Sequence, residues 1–325
     1  MSFSNSSMTV LLTGGSGMVG KNLQEHPQFQ AFRTDAPTHS ELDLLDYQSV
    51  LNYLTEKQPD IVIHAAGRVG GIHANMTAPL DYFTDNLLMT QNIILAAKAA
   101  GITRFLNLAS SCMYPRNITS ALTEDMILKG ELEPTNEGFA LAKIVGTRMC
   151  QYISASSPRF QYKTLISCNL YGRWDKFDPE QAHMIPAVIR KIHQAICEEQ
   201  PKVEIWGDGT PRRECMYTAD LADFMVQALH HFDALPLLTN VGVGQDHTID
   251  DYYHTIAIVL GFKGHFTHNV TRPGGMQQKL LSNERAKALG WQPKTSLEEG
   301  IRKTYQFYLE THAEHSQNNR LVLKR

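Results

Sequence analysis

The short apolar run MTVLL at 8–12 leads directly into Gly14-Gly15-Ser16-Gly17-Met18-Val19-Gly20, and a helix-like segment from about Val19 to Gln24 follows. No other stretch restricts the fold as much. The G-x-x-G-x-x-G spacing asks for backbone angles that side chains resist, and it places the free N–H groups of a helix N-terminus beside a strand end. That is an anion site suited to a pyrophosphate, so these seven residues are the candidate dinucleotide cradle. A purely structural turn is the plainer alternative, but the strand before and the helix after are the context that dinucleotide binding requires.

The strand-and-helix unit recurs. DYQSVLNYLTEKQP carries Val50, Leu51 and Leu54 at helical spacing and precedes the apolar strand DIVIHAAG at 60–67. NLLMTQNIILAAKAAG reads as a helix closed by Gly101, RFLNLASS as a strand, FALAKIVGTRMCQYIS as a helix and YKTLISCNLYG as one strand. Such alternation predicts an α/β protein with a Rossmann-type, doubly wound parallel sheet covered on both faces. After Arg173 the pattern loosens into the helices MIPAVIRKIHQAICEE, TADLADFMVQALHHF and SLEEGIRKTYQFYLETH, the short strand VEIWGDG, and further short elements. The layout expected is a dinucleotide-binding domain at 1–172 with a return segment near 215–243, and a smaller α+β substrate domain formed mainly by 173–325. The tail EHSQNNRLVLKR is polar enough to fray.

With 325 residues, 42% of them hydrophobic, the chain can bury a large core, and a net charge of −3 gives no bulk attraction to nucleic acid or an anionic membrane. No stretch approaches 18 apolar residues, and the N-terminus lacks a charged leader region, which predicts a cytoplasmic protein with neither a membrane nor a nucleic-acid partner. Five cysteines, Cys112, Cys150, Cys168, Cys197 and Cys215, form no C-x-x-C, so neither a disulfide framework nor a metal site is expected. In this architecture the end of the second strand decides between NAD and NADP. FRTDAP offers Arg33 and Asp35, which point opposite ways, so the residues alone leave NAD(H) and NADP(H) both open.

Several further motifs are narrower: HAAGRVGGIHAN at 64–75, LASSCMYP at 108–115, LEPTNEGFALAKIVG at 132–146, NLYGRWDKF at 169–177, AHMIPAVIRK at 182–191 and IWGDGTPRRE at 205–214. Taken in this order, from about Thr9 to Leu309, the chain resembles the extended short-chain dehydrogenases/reductases and, among them, the GDP-L-fucose synthases, which epimerise and reduce GDP-4-keto-6-deoxy-mannose. The resemblance implies NADP(H), a GDP-linked 4-keto sugar and a homodimer. It implies that Leu108, Ala109 and Ser110 at one strand end, and Ser167, Cys168, Asn169 and Leu170 at the next, lie beside the cofactor, with Arg33, Lys143 and His183 also touching it. Ser110 would donate to the substrate oxygen, while Cys112 and His183 would serve as base and acid for inversion next to the ketone, since thiol and imidazole both titrate near neutrality. Lys143 would hold the nicotinamide ribose. Lys191, Trp206, Arg213 and Lys279 would contact the nucleotide, Lys191 standing where the resembled synthases usually have arginine. RPGGM at 272–276 departs from their usual P-D-G, with Gly274 in place of the acid.

The largest departure is Phe139. NEGF and ALAK flank it in register, so it occupies the position of the tyrosine in Tyr-x-x-x-Lys, the proton donor to a carbonyl. Phenylalanine keeps the ring and loses the donor, so reduction is expected to be impaired while epimerisation by Cys112 and His183 survives. Two accounts of Phe139 are open at this level: a tyrosine changed to phenylalanine in an otherwise active enzyme, which the intact remainder of the site favours, or a natural phenylalanine in a protein that is an epimerase without reductase activity or recruits water or another side chain as the acid. A sister enzyme acting on a GDP-linked heptose or dideoxy sugar, and a silent dinucleotide-sensing scaffold, are the rival readings.

Overall fold

The computed structural model describes residues 8–271 and 276–312; the readings of the first seven residues, of Gly274 and of the polar tail lie outside them. In chain order the strands are Thr9–Thr13 (β1), Arg33–Asp35 (β2), Ile61–His64 (β3), Arg104–Ser110 (β4), Gln161–Ser167 (β5), Asn169–Tyr171 (β6), Lys202–Trp206 (β7), Arg212–Arg213 (β8), Cys215–Tyr217 (β9), Leu238–Val241 (β10), His247–Thr248 (β11), His265–Asn269 (β12) and Gln278–Lys279 (β13). The helices are Met18–Glu25 (α1), Tyr47–Lys57 (α2), Ile72–Thr77 (α3), Pro79–Ala99 (α4), Glu137–Ser156 (α5), Met184–Cys197 (α6), Thr218–His230 (α7), Ile249–Leu260 (α8), Glu284–Ala288 (α9) and Leu297–His312 (α10).

Six strands form one parallel sheet in the order β10-β5-β4-β3-β1-β2. Its two faces are read by alternate residues of each strand. Val10, Leu12, Ile61 and Ile63 join a core with Leu23 of α1 and Leu221, Phe224 and Met225 of α7. Leu11, Val62 and Phe105 join another with Val50 and Leu54 of α2 and Ile93 and Ile94 of α4. Burial on both faces accounts for the unbroken apolar runs that a one-sided sheet would not tolerate. The chain steps outward from β1 to β2, then returns to place β3, β4 and β5 on the other side. The carboxyl ends of β1 and β3 therefore flank a switch-point crevice, where ligands of open α/β sheets bind.

A third core, with Ile185, Ile189 and Ile192 of α6, Val203 and Ile205 of β7, Tyr252 and Ile256 of α8 and Ile301 of α10, supports two small sheets, β12-β7 and β11-β8-β13. The fold is thus the doubly wound α/β architecture with a smaller α+β part. Three elements differ from the sequence expectation. YKTLISCNLYG is two strands, because the chain leaves the main sheet at Cys168 and β6 pairs with β9 instead. α4 begins at Pro79, seven residues before the expected Asn86, since proline is well placed at a first helical position. α8 emerges from what read only as short elements; a Thr248–Asp251 capping box starts it and Gly261, at φ 76°, ends it.

Candidate active site

The glycine turn closes tightly on the switch-point crevice. Gly14 has φ +78°, and a Cβ there would lie 2.6 Å from the Ala66 backbone nitrogen. A Cβ at Gly20 would lie 2.3 Å from the Gly14 carbonyl oxygen, so Gly20 lets α1 pack on the turn. Gly17 donates its N–H to Gly14 O at 3.0 Å and caps α1 without a side chain, which leaves the first-turn amides unclaimed by any capping group. Beyond them opens a cavity of about 380 Å³ lined by Gly14, Ser16, Gly17, His39, Gly67 and Arg68, among others. A backbone cradle at a helix N-terminus, with space beyond it, fits a dinucleotide. Met18 and Val19 are the first residues of α1 and stand half-buried behind the turn, and Gly15 is buried, since its Cβ would lie 2.9 Å from Ala36 Cβ.

Neither Arg33 nor Asp35 of β2 is among the residues that line that cavity. Arg33 is exposed and outside the lining, and the Asp35 carboxylate accepts from the Tyr53 hydroxyl at 2.7 Å. His39 and Asp43, from the loop after β2, line the cavity instead. The sequence reading missed them because a strand-end rule looks at the strand, whereas here the loop folds back.

The centre of the site forms at the carboxyl end of β4. Ser110 pairs in register with Ser167 of β5, whose hydroxyl donates to Ala109 O at 3.3 Å. The following turn, Ser111–Met113, buries Cys112 and points its backbone N–H at Ser110 Oγ, 3.5 Å away. Burial pushes the Cys112 thiol up; Lys279, Ser110 and Lys143 pull it back down. Lys143 of α5 is itself buried and donates from Nζ to Leu108 O at 3.1 Å. Burial brings its pKa down to about 8, against the opposing pull of Cys112. The Lys143 ammonium stands 5.6 Å above the Phe139 ring, in the first turn of α5. Phe139 is half-buried and lines a small cavity of about 90 Å³ with Asn75, Pro134 and Asn136. Asn169 and Leu170 lie half-buried in β6, with Cys168 buried just before them where the chain leaves the main sheet.

His183 is the N-cap residue of α6, and burial lowers its pKa, with Lys176 adding to the effect. Its neighbourhood is tied to the glycine-rich stretch after β3: Gly71 N–H donates to Gln181 O at 3.1 Å, and a Cβ at Gly71 would lie 2.6 Å from Ala182 O. Among the described residues no hydrogen bond joins His183 to Cys112. The same β6–α6 loop holds an acid that sequence reasoning overlooked. Burial pushes Asp175 up to about 7, and its Oδ2 has no hydrogen-bond partner among the described residues.

The expected nucleotide contacts fall into two groups. Lys191 of α6 donates to the Glu204 carbonyl of β7, and Trp206 ends that strand at 53% exposure. Arg213 and Lys279 face each other in the β8–β13 pair, and Arg213 donates to Met276 O at 2.5 Å. Burial lowers the pKa of Lys279, and the charges of Cys112, Arg213 and Glu133 also reach it.

Residues 10–244 match the model of the NAD dependent epimerase/dehydratase family. The chain belongs to that family. It is an enzyme of the sugar-nucleotide epimerase/reductase kind, and its cofactor is a nicotinamide dinucleotide. It is 51% identical to the GDP-L-colitose synthase of Yersinia pseudotuberculosis over 302 residues, covering 93% of this chain and 98% of that one. It is 46% identical to the GDP-L-fucose synthase of Azorhizobium caulinodans over 300 residues, covering 92% and 96%. In three dimensions it resembles a GDP-mannoheptose C4 reductase from Campylobacter jejuni with NADP bound, at a TM-score of 0.85 and 27% identity, covering 94% of this chain and 99% of that one. Among the described residues no helix is long and apolar enough to cross a membrane.

Proposed function

We propose that this enzyme uses NADP(H) to epimerise and reduce a GDP-linked 4-keto-6-deoxy sugar. The observation that carries the reading is the group at the end of β4, where Ser110, Cys112 and Lys143 meet beside the glycine cradle and under a wall that carries Arg213 and Lys279. The neighbour solved with NADP supports the phosphorylated cofactor. Gly14 to Gly20 hold the pyrophosphate, and Lys143 holds the nicotinamide ribose. When bound, the dinucleotide supplies the hydride for C4.

The 4-ketone acidifies the neighbouring C–H groups, and Cys112 takes such a proton while His183 returns one on the opposite face. Ser110 donates to the ketone oxygen, a contact worth about 10² to 10³ in rate when it is well aimed. Phe139 has no proton to give, so epimerisation outruns reduction. Trp206, Lys191 and Arg213 hold the GDP moiety. In this reading residues 1–172 with the 215–243 return segment bind the dinucleotide, and 173–325 form most of the sugar site. Leu88 and Leu95 of α4 and Leu141 and Val145 of α5 are exposed on neighbouring helices, which supports a homodimer through that face. The protein acts in the cytoplasm. The colitose synthase at 51% identity favours a second reading within the same class, in which the sugar is a dideoxy one.

Calorimetric titration of the NADP⁺-loaded protein with GDP and with UDP tests the nucleotide assignment without depending on turnover. The expected result is selective binding of GDP, lost in Arg213→Met. Cofactor binding with no preference for GDP would overturn the reading.

A further inference from the structure

Lys279 has no function in the pocket wall that its strand explains. Its carbonyl accepts from Glu214 N–H at 3.2 Å, but its ammonium makes no hydrogen bond or salt bridge among the described residues, although it stands in a strand pair whose other member, Arg213, donates to Arg212 O at 2.8 Å and to Met276 O. Its own strand is tied to the Cys112 turn. Leu122 N–H donates to Leu280 O at 2.8 Å, and Ser282 N–H donates to Leu122 O at 2.9 Å. Asn240 bonds Leu122 O at 2.9 Å and Ser282 O at 3.1 Å, while its Oδ1 accepts the Tyr114 hydroxyl at 2.5 Å. Tyr114 follows Cys112 by two residues. This bracket ties β13, which carries Lys279, to the segment that follows Cys112.

We propose that Lys279 is a positioning residue for Cys112: its ammonium, carried by β13 and fixed by the Leu122–Asn240 bracket, holds the thiolate that removes the proton beside the ketone. This rests on the proposed epimerase chemistry but is tested apart from it. The groups facing Cys112 are Lys279 from β13, Lys143 from α5 and Ser110 from β4; those facing Lys279 are Cys112, Arg213 from β8 and Glu133 from the segment before α5. Burial opposes the thiolate, and Lys279 is the largest influence acting the other way. Because a buried thiolate needs a nearby cation, removing that cation moves the thiol further up and lowers the thiolate fraction at every pH below its pKa.

The experiment follows the pH dependence of Cys112 alkylation by iodoacetamide, read by peptide mass spectrometry, in the parent chain, Lys279→Met and Lys279→Arg. NADP⁺ affinity, measured alongside, reports an intact cradle. The expected result is a curve displaced upward in Lys279→Met, with about tenfold slower alkylation at pH 8 for each unit of displacement, and a near-parental curve in Lys279→Arg. Superimposable curves for the parent and Lys279→Met would overturn the inference, as would equal displacement in both variants with cofactor binding retained. Solvent deuterium uptake by the sugar is measured on the same samples. A displaced curve without uptake by any sample would leave the Lys279–Cys112 coupling in place and remove the epimerase reading instead.

Discussion

Restoring the hydroxyl at 139 is the perturbation whose size can be worked out from the structure. Phe139→Tyr adds one oxygen to a half-buried ring that borders a cavity of about 90 Å³, so the packing cost is small. Lys143 Nζ stands 5.6 Å from the ring centroid. At an effective dielectric near 20, a unit charge at that range is worth at most about 3 kcal/mol, about two pKa units, which brings a phenol down from about 10 toward 8 while Lys143 stays protonated. A donor with that pKa is well matched to carbonyl protonation near neutral pH, and a general acid contributes about 10² to 10⁴ in rate. Single-turnover NADPH oxidation with a GDP-4-keto-6-deoxy sugar should accelerate by that factor in Phe139→Tyr, and the gain should fade above about pH 8 as the phenol ionises. Deuterium exchange next to the ketone should change little. A variant that binds sugar and cofactor yet oxidises NADPH no faster than the parent chain would refute the assignment of position 139.

Two further outcomes follow from buried groups. His64 lies fully buried between Thr13 and Thr90, and burial, helped by Lys143, lowers its pKa from 6.5 to about 3. Between those values the unfolded chain holds a proton that the folded chain refuses, so stability is full above about pH 6.5 and falls as pH drops, by about 2 kcal/mol at pH 5 for this group alone. Urea denaturation at a series of pH values should show that slope in the parent chain and a shallower one in His64→Gln; equal slopes would contradict the account. Gly20→Ala places a methyl 2.3 Å from Gly14 O, and the turn must shift to make room. The expected cost is about 1–3 kcal/mol in cofactor affinity, measured by dinucleotide titration, with the fold retained by circular dichroism.

The parts of the fold that were legible in the sequence are those set by local rules. The strand–turn–helix at Gly14 to Gly20 and the apolar runs of β1, β3 and β4 announce a sheet buried on both sides, because short unbroken apolar runs alternating with helices suit strands covered on both faces. The break at Cys168 was not legible, since the strand residues continue without interruption and only pairing partners distant in sequence decide where they go. The site divided in the same way. Ser110, Cys112 and Lys143 converge because one strand end and the helix packed beside it bring them together. His39 at the cavity beyond the glycine turn, Asp175 with its unbonded Oδ2 and the tie between the strand of Lys279 and Leu122 depend on loops and a short strand from remote segments, which residue spacing does not encode. Lys279 was visible in the sequence as a cation, but its motif gives no sign of the Leu122–Asn240 bracket that ties its strand to the segment after Cys112.

The most direct test of the central claim is proton exchange beside the ketone. The parent chain is incubated with GDP-4-keto-6-deoxy-mannose in deuterated water, with and without NADPH, and C3 and C5 are followed by NMR together with cofactor oxidation. The account predicts deuterium uptake without matching NADPH loss, and uptake abolished in Cys112→Ala. Absence of uptake in a sample that binds both GDP and NADP⁺ would contradict it, and the roles given to Cys112 and His183 would fall.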